Sequence, residues 1–303
     1  SVVTEQMPYV TTVREVVLES GRTAKWVQYK IPLRSYTRAI GGITDFRSIP
    51  FLRMHVQGFS QPTVFRFAAL DLIQGSWRIY DRAVEPERAI AVNPATEFEL
   101  GAVNIEENSN RSPIPYVLPP GIRREALNNT NTIIRENEQS LSMRVKALQA
   151  GDGRAAFRRV KFDMRRFERL KLFVHAEALA DSPVTDNELV AFLRIGTDYT
   201  ENYYQIEWPL TYTKGSTTDP AQIWPSENEL DIDLQELSKA KAEQLVSNDP
   251  LFTKRLDNGL TIRVKGNPSI GNVSAAMIGA INRSGTLPIS AELWFNELRL
   301  SGV

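Results

Sequence analysis

Apolar residues along this chain recur mainly at every second position. Val64, Arg66, Ala68, Leu70 and Leu72 fall on one side of an extended backbone and Phe65, Phe67, Ala69 and Asp71 on the other. That pattern predicts a strand buried over most of both faces. The same texture recurs at 25–33, 50–56, 159–164, 169–178, 189–195, 203–208, 261–265, 275–281 and 291–300, each run bounded by Gly, Pro, Asn or Asp. Turn-forming residues at such spacing separate short strands. Helical periodicity is confined to 236–246, where Leu237, Ala240 and Leu245 form the apolar stripe, with a single turn expected over 165–170. The chain reads as all-β with minor helix.

Many short strands joined by turns pack as antiparallel sheets face to face. The length suits two antiparallel β-sandwich, jelly-roll-like domains. The most loop-like stretch runs from Glu106 to Asn137 and holds Pro113, Pro115, Pro119, Pro120, Gly121 and the polar tract 128–132. The expected division is therefore 1–135, a first sandwich with its Pro-rich linker, and 136–303, a second sandwich whose insertion carries the helix. A weak internal echo supports two related halves: 26–33 against 203–210, 51–56 against 275–281, and 65–72 against 293–300.

Lys and Arg together number 36 and so do Asp and Glu, so no global field draws the chain to nucleic acid or an anionic membrane. An electrostatic partner must be met by a local patch. The absence of cysteine removes disulfides, thiol nucleophiles and thiolate metal sites. No run is long and apolar enough for a spanning helix, and the opening SVVTEQMPYV lacks the pattern of a signal peptide. The expectation is a cytosolic protein or an interior piece of a longer one.

Candidate chemistry is sparse. His55 and His175 are the only imidazoles, each inside a strand pattern and neither beside a nucleophile elbow, so strand-face histidines are expected. Acid pairs that might serve a glycosidase are Glu106/Glu107, Glu227/Glu229 and Asp231/Asp233. The last reads more naturally as an alternating strand with both acids on its outer face. No cofactor is expected; a calcium ion of the kind jelly rolls hold stays open, although no D-x-D-x-D-G loop is present. Gly151-Asp152-Gly153 is a turn, because no phosphate-cradling glycine motif surrounds it. Two candidate contact surfaces remain. Arg159, Lys161 and Arg165 would form a basic stripe opposite Val160, Phe162 and Met164, for an acidic partner or phosphates, or simply a polar face balanced by acids on the next strand. Tyr199, Tyr203, Tyr204 and Trp208 would form a platform for a glycan or partner, or else core packing.

Several phrases carry a family resemblance. They are Trp26-Val27-Gln28-Tyr29-Lys30-Ile31-Pro32-Leu33, Asp45-Phe46-Arg47-Ser48-Ile49-Pro50-Phe51-Leu52-Arg53-Met54 and Gly75-Ser76-Trp77-Arg78 in the first part, Pro115-Tyr116-Val117-Leu118-Pro119-Pro120-Gly121-Ile122 in the linker, and Arg194-Ile195-Gly196-Thr197-Asp198-Tyr199, Trp224-Pro225-Ser226-Glu227-Asn228-Glu229-Leu230 and Asn296-Glu297-Leu298-Arg299-Leu300-Ser301-Gly302 later. With them the chain resembles the SprA family, also called Sov, of gliding-motility and type IX secretion proteins. The resemblance implies a soluble, non-catalytic segment of a very large outer-membrane β-barrel of Bacteroidota, capping or lining the pore, with the extracellular side expected and the periplasmic side as the alternative. Its implied partners are other translocon components, secreted cargo and the rest of its own barrel, with no nucleic acid and no membrane span in this segment. It carries over no catalytic, cofactor or metal residues. The alternative reading from the residues is a cell-surface jelly-roll carbohydrate-binding module.

Overall fold

The computed structural model describes residues 7, 9–17, 21–29, 31, 33, 36–38, 40, 51–59, 64–68, 70, 77–85, 92–123, 126–129, 132–135, 138–179, 182 and 184–302. The chain divides into two compact units, Ser1–Asp71 and Leu72–Val303.

In the first unit, strands β1 (Val10–Val17) and β2 (Thr23–Tyr29) form an antiparallel hairpin, closing with the pair Val17↔Thr23. Gly21 sits beside the turn at φ +74, a left-handed conformation that glycine adopts without steric cost. Two expected strands in this unit are corrected. Residues 51–56, 64–68 and 70 belong to no strand, while 50, 69, 71 and 72 lie outside the described residues. Alternation makes a strand only when a neighbour accepts its backbone hydrogen bonds, and no described residue does so here. Phe51, Val64 and Phe67 accordingly stay largely exposed. The internal echo fails for the same reason.

The second unit is built from β3 (Arg78–Tyr80), β4 (Glu97–Asn104), helix α1 (Ile105–Asn108), β5 (Ala126–Asn129), β6 (Thr132–Arg135), β7 (Gln139–Leu148), β8 (Gly153–Phe162), β9 (Arg169–Ala178), β10 (Leu189–Gly196) and β11 (Tyr203–Pro209). It continues with α2 (Pro220–Ile223), β12 (Leu230–Asp233), α3 (Leu234–Ser247), β13 (Leu251–Arg255), β14 (Thr261–Lys265), β15 (Val273–Asn282) and β16 (Ile289–Ser301). A seven-stranded sheet has the order β13-β14-β11-β10-β15-β8-β3 and a five-stranded sheet the order β12-β9-β16-β7-β4; β5 and β6 form a separate hairpin. The pairings are antiparallel. The expected boundary near 135 is therefore displaced. β3 pairs with β8 and β4 with β7, so residues 78–104 are woven into the sheets of the later strands and cannot be cut from them. The proline-rich stretch after them is a covering segment of one sandwich.

Alternation places one row of each strand between the sheets. Leu189, Ala191, Leu193 and Ile195 of β10, Ile206 of β11 and Ile278 of β15 share a core with Leu172, Val174 and Ala176 of β9 and Leu293 of β16. Burying each large side chain of this kind contributes about 1.5–3 kcal/mol. The opposite faces are covered too: Phe192, Met277 and Ile281 pack with Val84, and Phe173 and Trp294 pack with Tyr116 and Trp224. That double burial explains the almost continuous apolar runs of β10 and β15.

Helix α3 starts at Asp233, whose carboxylate accepts from Gln235 N at 2.8 Å, and ends at left-handed Asn248. Its buried stripe is Leu234, Leu237, Ala240 and Gln244, and Leu245 is exposed. Position 244 lies seven residues beyond 237 and repeats its direction, whereas 245 is turned a further 100°. The expected turn over 165–170 contracts to Met164–Phe167, closed by Phe167 N donating to Met164 O at 3.1 Å, and β9 is already extended at Arg169.

Candidate functional site

The densest polar chemistry lies on the outer face of the five-stranded sheet. On β9, Phe173, His175 and Glu177 point away from the core; on the adjacent β16, Glu292, Trp294 and Asn296 do the same. Register sets Glu177 directly opposite Glu292 and His175 opposite Trp294. Like charges in facing positions repel. Arg111, from the segment after α1, resolves this with a single Nη2 that meets Glu177 Oε1 and lies 3.0 Å from Glu292 Oε2. Ser142 Oγ at 3.1 Å and Trp294 Nε1 at 2.9 Å donate to Glu292 Oε1. The guanidinium also sits 5.2 Å from the Trp294 ring, a cation–π distance. Burial on its own raises the Glu177 carboxyl, but the attraction of His175 and Arg111 outweighs it and holds the group below the ordinary carboxylate range.

Aromatic rings seal the cluster. His175 is fully buried and stacked on Trp294 at 4.0 Å and 29°. Trp224, at the end of α2, approaches His175 and Trp294 at 6.0 and 6.1 Å. Its Nε1 donates to Val117 O at 2.9 Å and so joins two covering segments. Tyr116 accepts from Asn296 Nδ2 at 3.1 Å and shares a hydrogen bond with Ser140 Oγ at 2.8 Å; burial pushes its phenol up. The cluster is largely closed over: the Glu177 and Glu292 side chains are 4% and 9% exposed and that of Arg111 20%. A shallow depression of about 370 Å³ beside it is lined by Thr211, Tyr212, Thr213, Lys214, Ala221, Gln222 and Pro225.

A second charged cluster lies on the outer face of the seven-stranded sheet. Arg194 Nε donates to Gln205 Oε1 at 2.7 Å, and Gln205 Nε2 to Glu207 Oε1 at 2.7 Å. Glu207 is ion-paired with Arg263 at 2.7 Å and Arg283 at 3.1 Å, and Arg283 forms a fork on Glu85 at 2.7 and 2.9 Å. Arg194 also donates to Val84 O at 2.7 Å, so the cluster ties the 81–85 segment to the sheet.

The residues proposed as a platform do not share a surface. Tyr204 and Trp208 point into the core between the sheets, with Trp208 Nε1 donating to Asn228 O at 3.0 Å, and burial pushes the Tyr204 phenol up to about 12. Tyr203 is on the opposite face beneath the Arg194 guanidinium, 4.1 Å from its ring. Tyr199 packs edge-on against Phe157 at 5.0 Å. The platform reading is corrected: strand alternation sends neighbouring aromatics to opposite faces, and only Tyr199 of the four is even partly exposed. In the basic stripe, Arg159 and Lys161 are exposed on β8, while Arg165 lies beyond the strand and forms a fork on Asp163 at 2.9 and 2.6 Å. Asp231 and Asp233 do alternate with buried Leu230 and Ile232 on β12, and Asp231 meets Arg169 at 2.6 Å and Lys171 at 2.9 Å. Glu106 and Glu107 are the first-turn acids of α1, Glu227 lies in a 3-10 turn, and Glu229 meets Arg299 at 3.3 Å. His55 is exposed and outside any strand. Among the described residues no group of three or more His, Asp or Glu is placed to hold a metal ion, and no helix is long and apolar enough to cross a membrane.

Sequence reasoning missed the Arg111 cluster as a unit. A signal was available in the polar and aromatic outer rows 173/175/177 and 292/294/296 of strands otherwise apolar, but Arg111 and Trp224 arrive from loops that periodicity does not place.

Comparison with known proteins bears on the identity of the whole chain. No curated protein matches it. Among solved structures, the family 11 carbohydrate-binding module from Clostridium thermocellum, in complex with a β-1,3-1,4-mixed-linked tetrasaccharide, aligns with a TM-score of 0.36 and 9% identity, covering 77% of this chain and 94% of that one. The model of the SprA_N family, described as motility related/secretion protein, matches residues 9–303. The match takes in the hairpin unit and every strand of the sandwich, so this chain belongs to the SprA_N family of motility-related and secretion proteins.

Proposed function

We propose that this chain is a non-catalytic structural segment of the outer-membrane type IX protein secretion translocon, which caps or lines the secretion pore and docks partner proteins. The observation that carries the reading is the family match along residues 9–303. The chemistry of the sandwich supports it. The two buried charged clusters are spent on fastening loops to sheets: Arg111 holds the segment after α1, and Arg194 and Arg283 hold the 81–85 segment. Enzymes keep convergent polar groups at an accessible cleft, where perturbed groups meet a substrate. Here those groups face one another, and the Arg111 cluster lies under aromatic cover. The proposed work is mechanical, with a rigid sandwich presenting loops and sheet edges to the rest of the translocon and to passing cargo.

Immunoblotting of fractionated source cells with an antibody raised to this chain tests the placement. A band several times larger than 34.2 kDa, retained in the outer-membrane fraction and clipped by protease added outside intact cells, is the expected result. The same large band left uncut would move the segment to the periplasmic side. A soluble band of the chain's own mass would overturn the reading.

A further inference from the structure

Two buried atoms face each other without hydrogen-bond partners among the described residues: His175 Nε2 and Glu177 Oε2, 3.9 Å apart. His175 Nδ1 lies 2.7 Å from Ile223 O. A carbonyl oxygen only accepts, so Nδ1 carries a hydrogen and donates it. In a neutral ring Nε2 would then be a bare acceptor aimed at a carboxylate, which is also an acceptor. Two acceptors in that arrangement repel, and both side chains are withdrawn from bulk solvent, His175 fully buried and the Glu177 side chain 4% exposed. A proton on Nε2 converts the repulsion into an ion pair.

Charge balance gives the same answer. His175 meets Glu177 on its own strand, Trp294 on β16, and Thr213, Trp224 and the Ile223 carbonyl from the 211–225 segment; Arg111, Tyr116 and Glu292 join the site through Glu177 and Trp294. The Tyr116 phenol stays neutral because burial pushes it up. Two carboxylates and one guanidinium leave this site one negative charge in excess if the imidazole is neutral, and no excess if it is protonated. An unbalanced charge under aromatic cover is costly.

We propose that His175 is a buried imidazolium whose Nε2 proton, directed at Glu177, latches the 105–122 segment onto the outer face of the five-stranded sheet. The coupling runs through Glu177, which shares its charge between the imidazolium and Arg111, the residue that anchors the segment. When the proton leaves, Arg111 alone must balance two opposed carboxylates and the segment loosens. The latch is therefore closed at lower pH and is lost as pH rises through the point where His175 releases its proton.

The test uses the full chain carrying His55→Gln, which leaves His175 as the only imidazole. Nitrogen shifts of its labelled ring, followed against pH, are expected to show both ring nitrogens protonated at neutral pH. On raising pH the ring should lose the Nε2 proton, and protection of the Arg111 and Tyr116 amides against hydrogen exchange should fall at least about tenfold over the same interval. A ring already bare at Nε2 at neutral pH overturns the proposal, and so does a ring titration that leaves that protection unchanged. Adding Glu177→Gln supplies an amide donor to Nε2, so the ring should become neutral and the pH response of the amides should vanish; a ring that stays doubly protonated in that variant also overturns the proposal. Should that variant fail to fold, the His55→Gln titration decides alone. Its outcome is independent of the secretion reading.

Discussion

Replacing Arg111 with Met keeps much of the volume beside Trp294 and removes the cation that bridges Glu177 and Glu292, whose side chains are 4% and 9% exposed. The two carboxylates then stand directly opposite each other across β9 and β16 without the guanidinium that bridged them, and the site carries an excess negative charge even with His175 protonated. Breaking a buried pair by deleting one partner costs about 3–5 kcal/mol, because the remaining charge is left without compensation. For a unit of this size that corresponds to a fall in Tm of roughly 6–20 °C. Urea unfolding followed by tryptophan fluorescence reads the effect, since Trp224 and Trp294 border the cluster. Two controls sharpen it. The triple variant R111M/E177Q/E292Q should recover most of the loss, because it removes the orphaned charges. The deficit of R111M should also shrink as pH falls through the carboxylate range: the Glu177 carboxyl is held low in the native state, so its stabilisation is present above the ordinary carboxylate pKa and is lost in acid. A loss below about 1 kcal/mol at neutral pH would refute the reasoning and make the cluster no stronger than a surface pair.

Other outcomes follow from the same structure. Gly279→Ala on β15 would bring a Cβ to 2.2 Å from the backbone oxygen of Arg154, so urea denaturation should show a loss of at least about 1–3 kcal/mol or no folded protein. Leu193→Ala opens a cavity at the centre of the core and should cost about 2–5 kcal/mol, measured the same way. Asp198 is raised by burial but pulled down to about 2 by the Asn202 side chain and the backbone amides of Glu201, Thr200 and Asn202, so its contribution is present above about 4 and is lost as pH falls towards about 2. Asp198→Ala should flatten that part of the stability profile, and a wild-type slope in the variant would contradict the assignment.

The sheets were legible because alternation is a local property. Runs at 189–195, 203–208, 261–265 and 275–281 each fall within a strand of the seven-stranded sheet, and 169–178 coincides with β9. Strands carrying serine, glycine or charge on their buried rows were not seen: β7 holds Ser140 and Ser142, and β4 holds Gly101 in its middle. Neither feature marks a strand in a single sequence. Phe51–Val56 and Val64–Leu70 show the reverse failure, since a strand pattern without a partner strand forms no ladder among the described residues. The domain boundary was misplaced because pairing across distance, β3 with β8 and β4 with β7, leaves no local mark. Platform residues failed for a reason the sequence did contain: Tyr203 and Tyr204 are adjacent and cannot face the same way. The Arg111 cluster needed three-dimensional information, because residues 111, 177 and 292 meet only after the whole sandwich has closed.

Secretion itself tests the central claim most directly. In source cells whose chromosomal copy lacks the segment coding for residues 72–303 in frame, cargo carrying type IX secretion signals should accumulate inside the cell envelope while outer-membrane integrity is unchanged. Cargo released at the wild-type rate from those cells would contradict the account.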